Sequence, residues 1–320
     1  MASKADVTQL KYPIPTEPAP NRFPLQSPRG ARMAGRVWDP QQQQPLRALC
    51  LFVHGGGWHS GYFEELAQGL CSQGIFCAAY DQPGCGYSDN EPGVKDGVTH
   101  VDGFDSLVED AYAAVDWMKK EADVANDSDV PCFLFGESFG GLIVMGAAYQ
   151  QDFYNTRIDG VVVSGGLLKL SDKFLPPRPV VSALVFLAKY YPKIVMPATD
   201  FESTFDDAFG DKDWAKTARA DPCVTMAIRA TVGGVATTLR AGTVIRAKAK
   251  EFPVPLFAAH GKGDVRTSCE AMEEFIDKLG PTGSMKVLDT DGHQLLQDTS
   301  EIRGEMINEI KIWLGRMIGK

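Results

Sequence analysis

Apolar residues fall along this chain in two rhythms. Nearly continuous apolar runs occupy residues 47–53, 75–80, 132–135, 158–163 and 253–259, and each ends abruptly at a glycine, serine, histidine or aspartate. Runs of that length and uniformity are the signature of strands buried on both faces. Between them lie stretches with helical spacing: 63–71, 104–122 with Leu107, Ala111, Ala114, Val115 and Met118 on one side, 142–148, and 268–279 behind the candidate cap Ser268. A last short strand at 285–288 precedes a terminal helix over 294–318, with Ile302, Met306, Ile310, Trp313 and Leu314 toward the core. Strand and helix alternate at the spacing of right-handed crossover units, which predicts an α/β fold: a mostly parallel sheet with helices on both faces.

The alternation stops over residues 167–249. There the chain runs through Pro176-Pro-Arg-Pro179, an amphipathic stretch 180–191, an acidic stretch 200–213 and a Gly/Ala/Thr-rich helical stretch 226–245. This reads as a helical insertion, so the core comprises residues 23–166 and 250–320. Residues 1–22, with Tyr12-Pro-Ile-Pro-Thr-Glu-Pro-Ala-Pro20, read as an extended arm rather than a packed element. Pro28-Arg-Gly30 sits between two short segments as a hairpin turn, and Gln41 to Gln44, followed by Pro45, reads as a loop.

Composition narrows the function. A 320-residue chain with 44% hydrophobic residues can bury a large core. A net charge of −9, with no basic run, argues against a nucleic-acid partner. Lys4, Asp6, Lys11 and Glu17 interrupt the first twenty residues and no apolar run reaches the ~20 residues of a membrane span, so a soluble, cytoplasmic protein is expected. Seven cysteines, several in apolar patterns, read as reduced structural thiols. No spacing suggests a metal site, and no cofactor is expected.

The chemistry gathers where strand patterns end. Gly136-Glu-Ser138-Phe-Gly140 follows a strand and opens a helix, the setting of a nucleophile elbow. The glycines are steric necessities there, because a larger side chain at Gly136 or Gly140 would collide as strand packs on helix. Ser138 is then the nucleophile, and it needs a base. Of the five histidines, His293 in Asp289-Thr-Asp-Gly-His293 follows the final strand and can reach over the elbow. His54 and His260 read as structural, and His59 and His100 as solvated loop residues. Asp264, in His260-Gly-Lys-Gly-Asp264 after the penultimate strand, is the acid that would orient His293. The rival position, Ser164-Gly-Gly166, offers no carboxylate, and Asp291 reads as a turn residue. His54-Gly-Gly-Gly57 offers unhindered N–H groups for an oxyanion, and Gly56 and Phe139 are the expected donors. Gly55, Gly57, Trp58, Leu184 and Leu187 are the expected substrate contacts.

These motifs, with Asp81-Gln-Pro-Gly-Cys-Gly-Tyr-Ser88 and Ser171-Asp-Lys173, resemble those of the α/β-hydrolase superfamily, and within it the monoacylglycerol lipase and lysophospholipase group. The resemblance runs from about residue 47 to the C-terminus. It implies that the insertion is a helical cap over the site. It also implies a serine hydrolase that cleaves lipid-like carboxylic esters, such as monoacylglycerols or lysophospholipids, through an acyl-enzyme. Family members usually carry an acidic residue and a histidine after the glycine loop, whereas Gly57 is followed here by Trp58-His59, and Phe139 replaces a more usual methionine. Val180, Leu184, Phe186, Leu187 and Tyr191 can line an apolar tunnel or touch a membrane surface, or merely pack on the core. Two alternatives stay open: transfer of the acyl group to an alcohol or lysolipid, and a non-catalytic ligand-binding receptor on the same fold. Ser138 argues against the dehalogenases and epoxide hydrolases, which carry a carboxylate at the elbow. The oligomeric state is left open by the sequence.

Overall fold

The structure is a computed structural model, and it describes residues 10–17, 25–40, 44–94, 98–99, 101, 103–125, 128–173, 178–196, 204–225 and 229–319. His100, Pro176 and Pro177, and parts of the arm, the glutamine run and the acidic and Gly/Ala/Thr-rich stretches lie outside them.

In chain order the elements are β1 (Leu25–Gln26), β2 (Arg32–Met33), β3 (Gly35–Trp38), β4 (Ala48–Val53), α1 (Glu64–Cys71), β5 (Ile75–Tyr80), β6 (Val98–Thr99), α2 (Phe104–Glu121), β7 (Cys132–Glu137), α3 (Phe139–Gln150) and β8 (Gly160–Ser164). There follow α4 (Arg178–Tyr190), α5 (Lys212–Ala220), β9 (Arg229–Ala230), α6 (Val232–Ala247), β10 (Leu256–Gly261), α7 (Cys269–Leu279), β11 (Gly283–Leu288) and α8 (Ser300–Ile318). Seven strands form the central sheet in the order β11-β10-β8-β7-β4-β5-β3, parallel throughout except for β3, which pairs antiparallel with β5. This is the mostly parallel, helix-flanked sheet the periodicity predicts.

Register decides where the chemistry can sit. Val53 pairs with Tyr80 and Gly136, Glu137 with Ser164, Ser164 with Ala259 and Gly261 with Leu288. The carboxyl ends of six strands therefore line one edge, and the loops that leave them converge there. Alternation along each strand fills both sides. Leu49, Leu51 and Val53 join the cluster under α2, α3 and α7, while Ala48, Cys50 and Phe52 join the one under α1 and α8. Phe52, Phe63 and Phe135 meet at centroid distances of 5.3 to 5.7 Å. Each such buried ring contributes about 1.5–3 kcal/mol by removal from water.

Two local expectations change. The terminal helix does not start at Gln294: Leu295–Gln297 form a 3₁₀ turn, Asp298 is extended, and α8 begins after Thr299, whose side chain accepts from the Ile302 N–H. Asp298 is drawn out of the helix because its buried carboxylate accepts from the Thr290 hydroxyl at 2.7 Å. The acidic stretch of the insertion leads into a further helix, α5, capped by Asp211, whose Oδ1 accepts from the Asp213 N–H at 2.9 Å.

The insertion divides by its packing. In α6 the small residues permit close approach: a Cβ on Gly242 would lie 2.5 Å from the Leu168 carbonyl oxygen, and one on Gly233 2.8 Å from Pro192. Helix α4 packs on α6 but leaves Val180, Val185, Phe186 and Tyr190 exposed. Helix α5 is held by the N-terminal arm. Residues 10–17 contain no helix or strand, yet Tyr12 stacks on Trp214 at 4.1 Å and 4°, and its hydroxyl donates to Asp211 Oδ2 at 2.7 Å. The Thr217 hydroxyl donates to the Tyr12 carbonyl, and Arg36 of the core donates to the Thr16 carbonyl. Over residues 10–17 the chain is therefore docked on α5, where the sequence predicts a stretch without packing. Among the described residues no helix is long and apolar enough to cross a membrane.

Candidate active site

Strand β7 delivers the serine. Ser138 stands between β7 and α3 with φ 52° and ψ −114°, a conformation that costs about 1–3 kcal/mol and persists only when its surroundings fix it. Those surroundings are backbone. The Ser138 N–H donates to the Ser164 carbonyl at 2.8 Å, and the Ser138 carbonyl accepts from Gly141 and Leu167. A Cβ on Gly136 would lie 2.4 Å from the Gly140 oxygen, and one on Gly140 2.0 Å from the Val53 oxygen. The glycines of the motif are there for the steric reason the sequence suggests.

The loop after β11 brings His293 over this elbow. Its Nε2 lies 2.9 Å from Ser138 Oγ and its Nδ1 2.7 Å from Asp264 Oδ2. Nδ1–H therefore donates to the carboxylate, leaving Nε2 to accept the serine proton. The ring rests on the Ser164-Gly-Gly166 loop, where a Cβ on Gly165 would lie 3.2 Å from Cε1 and Nδ1; Gly165 takes φ +55°. The rival acid position is thus the wall behind His293. Asp264 is fully enclosed, its Oδ1 accepting from the N–H groups of Arg266 and Thr267, and its Oδ2 from the Thr267 hydroxyl at 2.8 Å. Burial alone would raise this carboxyl, but the charge of His293 and the hydrogen bonds from His260 and His293 outweigh it and hold the group well below the usual carboxylate range.

The glycine loop after β4 passes directly over Ser138: a Cβ on Gly55 would lie 3.1 Å from the Ser138 Cβ. Among the described residues, neither the Gly56 N–H nor the Phe139 N–H is engaged in a hydrogen bond. Phe139 is the first residue of α3, so its N–H is one of the helix's unsatisfied donors. Gly57, at φ +71°, turns its carbonyl to the insertion and accepts from the Thr225 N–H at 2.9 Å. Trp58 is buried and stacks on Tyr62 at 4.2 Å, in an apolar cluster with Phe205 and Phe209 of the insertion. Leu184 and Leu187 are half-buried on α4, which makes no hydrogen bond to the catalytic loops among the described residues.

The other histidines sort clearly. His54 is structural as expected: its Nδ1–H donates to the Gly55 carbonyl at 2.7 Å, and its Nε2 accepts from the Gln82 N–H at 2.9 Å. Burial is the main reason it is pushed down to about 4. His59 corrects the expectation of a solvated loop residue. It is fully buried, with Nε2 2.9 Å from Asp221 Oδ2 and Nδ1 accepting from the Gly61 N–H. Its partner lies on the insertion, so the glycine loop and the insertion are tied by a buried pair. His260 is buried as expected, and its Nε2 lies 3.2 Å from Asp264 Oδ2.

Sequence reasoning passed over Glu137, the residue before the serine. It is fully buried with neither carboxylate oxygen partnered among the described residues. Burial pushes its carboxyl up to about 7, against the opposing influence of His293. The only signal was its place inside the elbow motif, where a variable position draws no notice. Together, a strained serine, an imidazole braced by a carboxylate and two idle N–H groups can generate an alkoxide-like nucleophile and bind an oxyanion.

Comparison with known proteins bears on the family and the fold. The family described as serine aminopeptidase, S33 matches residues 44–300. A putative monoglyceride lipase of Schizosaccharomyces pombe is 27% identical over 251 residues, which cover 76% of this chain and 60% of that protein. The human monoglyceride lipase is 24% identical over 95% of this chain and 96% of its own. Among solved structures, a soluble variant of monoglyceride lipase from Saccharomyces cerevisiae, in complex with a substrate analog, superposes with a TM-score of 0.75 at 21% identity, covering 99% of both chains. The strained elbow, the sheet that carries it and a family match spanning most of the chain place this protein in the serine aminopeptidase S33 family, with an α/β-hydrolase fold.

Proposed function

We propose that this chain hydrolyses carboxylic esters of lipid-like substrates, of the monoacylglycerol or lysophospholipid type, through a Ser138–His293–Asp264 triad and an acyl-enzyme. The observation that carries this reading is the unbroken contact from Ser138 Oγ to His293 at 2.9 Å and from His293 to Asp264 at 2.7 Å, on an elbow of enforced geometry.

In the proposed cycle His293 Nε2 takes the Ser138 proton as Oγ attacks the ester carbonyl carbon. The negative charge passes to the carbonyl oxygen, which the Gly56 and Phe139 N–H groups receive. Each such donor is worth about 2.7–4 kcal/mol at the transition state. His293 then returns the proton to the departing alcohol, and the carbon–oxygen bond breaks to leave the acyl group on Ser138. Water, deprotonated by the same nitrogen, attacks the acyl-enzyme, and Ser138 recovers its proton. Asp264 keeps the imidazole in the Nδ1–H tautomer and balances the imidazolium in both halves. The proton transfers are complete within these side chains and the bound water.

Support for the substrate class comes from the relatives named above and from the apolar cap. Gly55 and Gly57, with Trp58, would border the acyl carbonyl end, and Leu184 and Leu187 the chain end. The exposed Phe186, Tyr190 and Tyr191 on and just after α4 suit peripheral contact with a lipid surface.

The test is labelling by a fluorophosphonate, followed by a hydrolysis panel of monoacylglycerols, lysophospholipids and short aryl esters. Labelling of the wild type but not of Ser138→Ala, with faster turnover of the single-chain lipids, is the expected result. Folded wild-type protein that takes no label would end the proposal.

A further inference from the structure

His260 lies against the acid of the proposed triad, yet the proposed cycle does not use it. Its place in β10 puts it on the sheet face shared with Leu256 and Ala258, fully buried, in register with Val287 of β11. Its Nε2 lies 3.2 Å from Asp264 Oδ2 and 3.2 Å from Thr267 Oγ1, while its Nδ1 has no partner among the described residues. A proton on Nδ1 would bury an N–H with no acceptor, so the surroundings select the Nε2–H tautomer, and the ring is a donor toward the acid.

The two oxygens of Asp264 are held in different ways. Oδ1 takes the N–H groups of Arg266 and Thr267, which belong to its own turn. Oδ2 is the oxygen that His293 uses, and among the described residues side chains alone flank it there: the Thr267 hydroxyl at 2.8 Å and His260. The single Thr267 proton is contested, because the Gly165 carbonyl lies 3.0 Å from the same hydroxyl. If Thr267 donates to Gly165, His260 supplies the second donor to Oδ2. If Thr267 donates to Asp264, His260 donates to the Thr267 oxygen and fixes that hydroxyl. In both arrangements the Nε2–H of His260 settles where the proton goes.

We infer that His260 is a positioning residue, whose Nε2–H, shared between Asp264 Oδ2 and Thr267 Oγ1, holds the carboxylate oxygen that braces His293. The inference rests on the triad reading above and concerns how the acid is held, not which ester is cleaved. Among the described residues no hydrogen bond joins the ring to Ser138, so it acts through Asp264 and the Thr267 hydroxyl beside it. Because the donor is a neutral N–H, it steadies the oxygen without cancelling the negative charge that the His293 imidazolium needs.

The experiment compares His260→Leu, His260→Asn and His260→Gln in the full chain, with steady-state hydrolysis of a soluble p-nitrophenyl ester and the rate of fluorophosphonate labelling. A glutamine amide nitrogen reaches the Nε2 position, whereas that of asparagine stops near Nδ1, short of Asp264. Loss of one hydrogen bond to a charged group predicts kcat about 10- to 100-fold lower in the leucine and asparagine variants, with KM within about twofold. The glutamine variant should return to within about threefold of wild type. A folded leucine variant with wild-type kcat, or a glutamine variant as slow as the leucine one, overturns the inference. Should the leucine variant fail to fold, the asparagine and glutamine pair decides in the same way. A wild type that neither labels nor turns over would instead remove the triad reading itself.

Discussion

The His293 N–H donates to the carbonyl of Ala208 at 2.8 Å, so the loop that presents the imidazole is fastened to the insertion and not only to the sheet. The Gln294 N–H shares that carbonyl at 2.9 Å, and Arg266, beside Asp264, donates to the Thr204 carbonyl at 2.7 Å. At the other end of the same segment the Thr225 N–H meets Gly57, and Asp221 meets His59 and Tyr62. Residues 204–225 thereby join the histidine loop to the glycine loop. This part of the insertion is a buttress of the candidate site, whereas α4, with its exposed apolar residues, lies outside these ties.

Phe209 tests the buttress. It is buried beside Ala208, 5.2 Å from the Phe205 ring and 6.1 Å from Trp58. Phe209→Ala should cost about 3–5 kcal/mol of stability and lower kcat, although Ser138, His293 and Asp264 all remain. Ester hydrolysis at a temperature where the variant is folded checks this. An unchanged kcat would show that the Ser138 and His293 loops hold their geometry without this segment of the insertion.

Glu137 should leave a mark on stability against pH. Its carboxyl, ordinarily near 4.5, is pushed up to about 7 by burial. Below pH 4.5 both folded and unfolded chains carry the proton and nothing is lost. Between 4.5 and 7 the unfolded chain ionises while the folded one does not, so this group makes stability fall as pH rises, by about 3 kcal/mol in all. His54, pushed down to about 4, works oppositely: its contribution is complete above 6.5 and is lost as pH falls toward 4. Since His54 is common to both proteins, urea unfolding of wild type and Glu137→Gln from pH 5 to 8 isolates the glutamate. The difference between them should grow in favour of the glutamine variant as pH rises, and a constant difference would show that Glu137 does not titrate in this window.

What could be read from the chain alone was whatever is local. Gly136, Ser138 and Gly140 state their geometry in five residues, and Asp264 and His293 announce themselves by following apolar strand runs. The unread features depend on partners far along the chain. His59 looks like a solvated loop residue until Asp221, on the insertion, closes over it. The docking of Tyr12 depends on Trp214 in the same way. Helix α5 buries only Ala215, Thr217 and Ala218, too weak an apolar stripe to stand out among charges. Glu137 is hidden for a different reason: nothing in a glutamate's sequence neighbourhood says that its carboxylate will be enclosed without a partner.

The arm makes its own prediction. Tyr12→Ala removes the stack on Trp214 and the hydrogen bond to Asp211, together worth about 2–4 kcal/mol, whereas Tyr12→Phe keeps the stack. Because α5 belongs to the buttress, the alanine variant should lower both the melting temperature and kcat, with the phenylalanine variant between it and wild type. Equal kcat in all three would restrict the arm to a stabilising role.

Adjacent glycines at the start of α3 should respond very differently to alanine. Helix propensity alone would favour either substitution by about 1 kcal/mol, since alanine restricts the unfolded chain and suits a helix. Sterics decides against it at Gly140, where the new Cβ would lie 2.0 Å from the Val53 oxygen, 2.6 Å from the Val53 carbon and 2.7 Å from the His54 oxygen. All three are backbone atoms, at the end of β4 and the root of the glycine loop, and none can rotate aside. At Gly141 the nearest atom is the Val163 Cγ1 at 2.8 Å, with the Gly166 Cα at 3.2 Å, so a side-chain adjustment relieves most of the contact. Gly140→Ala should therefore give no active enzyme and little folded protein. Gly141→Ala should fold and retain labelling at Ser138, with a stability loss of about 1–3 kcal/mol. Circular dichroism melts with fluorophosphonate labelling read both outcomes, and an active Gly140→Ala variant would mean that β4 and α3 can separate without dismantling the elbow.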